Sequence, residues 1–115
     1  MKFIKLLLVM LLPFVGLSQT LKVGGDLTIV HFNAGWNSAN DVEWVGDLEN
    51  CKKKNCDIAT DTEAQNKYEI VVVPTIIIFN EGEEVKRYQA DISFTMKATL
   101  EEVQEKINDI YGDDI

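Results

Sequence analysis

Apolar residues along this chain fall into one solid block followed by a series of short, separately patterned segments. The block comes first. Lys2 and Lys5 precede an unbroken apolar run from Leu6 to Leu12, then Pro13, Phe14 and Val15, then Gly16-Leu17-Ser18. Beyond it, Leu27-Thr28-Ile29-Val30-His31-Phe32 follows Gly24-Gly25-Asp26 and reads as a buried strand. Asn33-Ala34-Gly35-Trp36-Asn37-Ser38 is a loop with several candidate helix N-caps. Val42, Val45 and Leu48 then recur every three residues, with Ala39 on the same broad face, which predicts a helix over about 38–50.

The run Lys52-Lys53-Lys54 breaks that helix at its C-terminus, where positive charge meets the negative end of the helix dipole. Cys56-Asp57-Ile58-Ala59 reads as a short strand. Thr60-Asp61-Thr62-Glu63 has capping-box spacing and opens a short helix through Tyr68. Val71 to Phe79 is the most strand-like segment of the chain, interrupted by Pro74. Asn80-Glu81-Gly82-Glu83 is a turn, and Glu84 to Gln89 returns as the second strand of a hairpin. Met96, Leu100, Val103, Ile107 and Ile110 repeat at four-three-four-three spacing, an amphipathic helix capped near Thr95. The order is β-α-β-α-β-β-α. It predicts an α/β domain with a mixed central sheet and helices on both faces.

The N-terminal block changes the picture of where the chain works. A positive start, a short apolar core and a small-residue exit match a secretory signal spanning 1–18, leaving 19–115 as one domain. The alternative is an uncleaved anchor, but spanning a bilayer takes roughly 20 apolar residues. The expected location is periplasmic or extracellular, with no membrane attachment after cleavage. Loss of Lys2 and Lys5 leaves 9 basic against 19 acidic residues, a balance of −10. Such a charge repels phosphate backbones and anionic headgroups, so nucleic acid is excluded as a partner.

Chemistry-bearing residues are few. Cys51 and Cys56 lie close together in an exported chain, which predicts a disulfide bridge. A staple of that kind stabilises a small domain; a redox-active bridge and free thiols are the other readings. With a single histidine, His31, a Cys/His zinc site lacks ligands, and neither a metal nor a cofactor is expected.

The strand Ile29–Phe32 running through Asn33-Ala34-Gly35 into Trp36, together with Val73-Pro74-Thr75 opening a later strand, resembles the thioredoxin superfamily. The element order agrees from Leu27 to Ile110. That resemblance implies a thioredoxin-like fold in a minimal version, since Gln19 to Gly25 is too short for the extra strand and helix with which members begin. It also implies a cis Val73–Pro74 bond and a groove at Trp36, Asn37, Asn40, Val73 and Pro74, where an extended peptide pairs with the backbone. His31 falls where catalytic members carry a buried acid; on an apolar strand a lone histidine reads instead as a hydrogen-bonded core residue.

The family's Cys-x-x-Cys falls on Asn37-Ser38-Ala39-Asn40. Thiol–disulfide exchange needs a thiolate, and a carboxamide is no nucleophile. Asn37 and Ser38 can cap a helix instead. The expectation is therefore a non-catalytic, redox-inactive domain that binds an extended peptide or another envelope protein. The alternative is an oxidoreductase using the displaced pair Cys51/Cys56. Trp36 and Pro74 also have a plain structural reading, as a loop cover and a turn former.

Overall fold

In a computed structural model, residues 21–113 are described; the expected signal at 1–18 lies outside them. Four strands form one sheet: β1 (Thr28–Asn33), β2 (Lys52–Asp57), β3 (Thr75–Asn80) and β4 (Glu83–Gln89), in spatial order β2-β1-β3-β4. β1 runs parallel to β2 and antiparallel to β3, and β3 and β4 form a hairpin. The mixed α/β sheet predicted from the element order is present. β1 is buried along its whole length, because it is paired on both sides and covered on both faces.

Alternation along the strands divides the core in two. Val30, Phe32, Ile77 and Phe79 point to one face, where helix α1 (Thr62–Lys67) lays Ala64 and the loop after it lays Ile70. Ile29, Ile76 and Ile78 point to the other. There helix α2 (Leu100–Asp113) contributes Val103, Ile107 and Ile110, at the predicted four-three spacing.

Several elements differ from the sequence expectation. In place of a helix over 38–50 there are two 3₁₀ segments, Gly35–Asn40 and Glu43–Asp47. Asn33, Asn37 and Asn40 bind one another or nearby main chain through their side chains, which competes with an α-helical ladder. The three-residue recurrence of Val42, Val45 and Leu48 is the 3₁₀ period itself, and all three residues still reach the core. The lysines do not end a helix either. They begin β2, because an edge strand can send charged side chains to solvent while its backbone pairs with β1.

The remaining shifts are at the ends. Asp61, not Thr60, caps α1, its carboxylate accepting from the Ala64 N–H at 3.0 Å. Val71 to Val73 stay outside the sheet, and β3 starts only at Thr75, after a cis Val73–Pro74 bond. The cap of α2 is Thr99, not Thr95: its hydroxyl accepts from the Glu102 N–H, and the Glu102 carboxylate accepts from the Thr99 N–H. Met96 lies before the helix and packs against its cluster from a loop.

Both ends of the hairpin have local causes. Glu81 and Gly82 at φ +54° and +82° make a two-residue turn with both centres left-handed, matching the twist of the flanking strands. Ile78 faces Lys86 and Phe79 faces Glu84, so Val85 is an extra residue bulged out of β4. The bulge puts Glu84 and Arg87 on one face, and they pair at 2.7 Å. Arg87 also donates to the Tyr68 and Glu69 carbonyls that end α1.

At the other edge, the Lys52 and Ile58 N–H groups donate to Leu27 and Asn33, so the Lys53 and Asn55 main chains face outward. Residues 21–26 run beside this edge without joining it. The Leu21 N–H donates to Asp61 at 2.8 Å, the Lys54 ammonium to the Lys22 carbonyl, and Lys52 pairs with Asp26. Asp61 thus serves α1 and the leading segment at once. An Asp61→Ala variant is expected to lose about 2 kcal/mol, one cap plus one hydrogen bond, measured as a lowered urea midpoint with unchanged slope.

Candidate functional site

The loop after β1 is built on a buried asparagine. Asn33 ends the strand with its amide nitrogen donating to the Asn37 carbonyl at 3.1 Å and to the Asp41 carboxylate at 2.6 Å. The Asn37 amide donates back to the Asn33 side-chain oxygen at 3.1 Å, and Asn40 donates to the Asn37 oxygen at 2.9 Å. Asn33 and Asn37 are both buried, so each amide atom left without a partner there costs about 1–3 kcal/mol. The network therefore fixes the loop. Asn37 also reaches the Phe94 carbonyl at 3.4 Å, tying in the loop that follows β4.

That second loop is shaped around Asp91. Its carboxylate accepts from the Ser93 N–H and hydroxyl and from the Thr95 hydroxyl, and Lys97 lies 3.4 Å away. The Ser93 hydrogen bonds, aided by Lys97, hold the Asp91 carboxyl well below the usual carboxylate range. Phe94 sits in the left-handed region at φ +62°, unusual for an aromatic residue, which turns its ring toward Trp36. The two rings meet edge to face with centroids 5.5 Å apart.

Trp36 is 67% exposed and Phe94 42%, so the pair stands open to solvent. Val73 and Pro74 are both buried. Val73 packs in the same cluster as Ala34 at the foot of the Trp36 loop, and the Pro74 carbonyl accepts from the Ala90 N–H at 3.0 Å. Among the described residues the Val73 N–H and C=O make no loop or turn hydrogen bond. Of the five groove positions expected from the sequence, Trp36 alone is widely exposed. Asn37 and Asn40 hold the loop, and Val73 and Pro74 are buried. Phe94 was absent from the sequence reading. Its placement depends on a loop conformation that neither hydrophobic period encodes.

His31 is a hydrogen-bonded core residue. Its Nε2 accepts from the Val42 N–H at 3.3 Å, which leaves the proton on Nδ1, 2.9 Å from the Asn55 side-chain oxygen. A cleft of about 770 Å³ opens beside it, between the 3₁₀ segments and β2, lined by Asn33, Asp41, Val45, Asn55 and Asp57 among others. The short 3₁₀ turns leave it open where a longer helix would cover β2.

The expected Cys51–Cys56 bridge is not formed; both residues are free thiols. Strand β2 runs between them, which separates their Cα atoms by on the order of 15 Å, far beyond disulfide reach. Cys51 packs on the α2 face and Cys56 on the α1 face. Burial pushes both thiols up: Cys51 is raised despite Lys53, and Cys56 rises to about 11 with Asp61 and Asp57 adding to burial. Neither position favours a thiolate.

No protein-family profile matches the chain, and no curated protein matches it. Solved structures do. A mutant thioredoxin from Halobacterium salinarum superposes with a TM-score of 0.58 at 18% identity, covering 74% of each chain. Reduced Schistosoma mansoni thioredoxin gives 0.58 at 22% identity, over 74% of this chain and 79% of its own. Fasciola hepatica thioredoxin gives 0.53 at 21%, over 86% and 89%. The fold is thioredoxin-like.

The thiols supply a direct test. A group raised from 9.0 to about 11 reaches its reactive, deprotonated form only at higher pH. At pH 8 the folded protein is expected to alkylate at Cys56 about 100-fold more slowly than the urea-unfolded chain. Two thiols per chain should titrate without reductant once it is unfolded. Mass-resolved alkylation reads both.

Proposed function

We propose that this thioredoxin-like domain is an exported, redox-inactive binding module, which holds an extended peptide or a segment of another envelope protein along the Trp36 groove. The observation that carries this reading is the exposed, edge-to-face Trp36–Phe94 pair, borne on two loops that the Asn37 amide ties together. An exposed aromatic anchor of this kind is a feature that strand-like peptide recognition uses. Trp36, held from below by the amide network, presents a large rigid surface with little side-chain entropy left to lose on binding.

The same geometry supports redox inactivity. Where exchange chemistry needs an attacking sulfur at the loop after β1, Asn37 is buried and fully hydrogen-bonded. The displaced pair Cys51/Cys56 offers no substitute, because the two sulfurs lie on opposite faces of the sheet and both resist ionisation. An oxidoreductase working through that pair has no supporting observation.

Two measurements test the reading together. The purified protein with excess dithiol is expected to give no turnover in insulin reduction; turnover at the rate of an ordinary thioredoxin overturns redox inactivity. Partners captured from envelope extracts by the wild type should be lost with Trp36→Ala, at a cost of about 2 kcal/mol in affinity. Equal capture by both proteins overturns the groove.

A further inference from the structure

The groove's electrostatics narrow the chemistry of its occupant. From Val23 to Cys51 the chain has no lysine or arginine but five acidic residues, and this stretch contains the Trp36 loop. Carboxylates surround that loop through direct bonds. Asp57 accepts from the Gly35 N–H, the residue before Trp36, at 3.2 Å. Asp41 takes the Asn33 amide that also binds the Asn37 carbonyl. Asp91 holds the loop that carries Phe94. Asp41 and Asp57 are exposed. The cation bonded to this set is Lys97, on Asp91.

We propose that the Trp36–Phe94 pair seats a cationic side chain, so that the preferred occupant of the groove is an extended segment carrying arginine or lysine. The inference rests on the groove reading above and adds the partner's charge to it. The indole face is the strongest aromatic site for a cation. Elsewhere in this molecule lysines already use lesser rings that way: Lys67 lies over Tyr68 at 5.4 Å and Lys86 over Tyr88 at 5.6 Å. Among the described residues no lysine or arginine stands over Trp36. The carboxylates bonded to the two loops favour a cation seated on the indole face and oppose an anion there.

The test uses short labelled peptides of alternating valine and threonine, identical except for a central arginine, leucine or glutamate. Fluorescence anisotropy with the purified protein reads their affinities. The arginine peptide is expected to bind about 10-fold more tightly than the leucine peptide, with the glutamate peptide weaker than both. Its affinity should fall as salt rises from 50 to about 500 mM, where screening removes the attraction of the acidic residues. Asp41→Asn should weaken the arginine peptide several-fold more than it weakens the leucine peptide. Trp36→Leu should abolish the preference, with an unchanged far-UV spectrum showing that the fold survives.

The two levels fail differently. If the arginine and leucine peptides bind alike and both are lost in Trp36→Leu, the charge preference is overturned while the groove stands. If no peptide binds, or binding ignores Trp36→Leu, both are overturned.

Discussion

A buried amide at the end of the central strand sets the shape of the loops that follow β1 and β4. Asn33 is buried, so its amide must find protein partners or cost the fold about 1–3 kcal/mol for each atom left without one. It finds them in Asn37 and Asp41. Asn37, in turn, spends its second proton on the Phe94 carbonyl. Two loops that follow different strands are locked together by this chain of amides. Trp36 and Phe94 are exposed together because the polar groups beneath them are not.

The same network explains the departure from helical structure after β1. An α-helix over 38–50 would carry Asn37 and Asn40 as ordinary turn residues with side chains in solvent. Here their amides are consumed by one another, and the backbone closes into 3₁₀ turns that still deliver Val42, Val45 and Leu48 to the core. One consequence is an uncovered patch over β2, the cleft beside His31 and Asn55. Another is that the edge at β2 must be protected by other means. Its lysines and the flanking 21–26 segment do so on one side of the sheet, and the Val85 bulge on the other.

The two thiols illustrate how a short sequence separation misleads. Five residues apart in a loop, Cys51 and Cys56 could meet; five residues apart along a strand, an odd spacing sends them to opposite faces. The choice was made by pairing with β1, which extended the strand back through the lysines. Once there, burial raises both thiols and leaves them as small core residues rather than reagents.

The expectation of a cis Val73–Pro74 bond came from the resemblance, while periodicity and residue type by themselves determined the order of the strands, the hairpin at Asn80–Glu83 and the amphipathic face of α2. These depend on side-chain pattern over a few turns or strands, which the chain carries locally. Tertiary contact decided the rest. Whether a lysine run ends a helix or begins an edge strand depends on whether β1 is there to pair with it. Whether Asn37 faces a ligand or the core depends on Asn33 and on a loop more than fifty residues away. Phe94 meets Trp36 for the same reason: its left-handed backbone is held by Asp91, Ser93 and Asn37, and hydrogen bonds to main-chain atoms leave no periodic trace in a sequence.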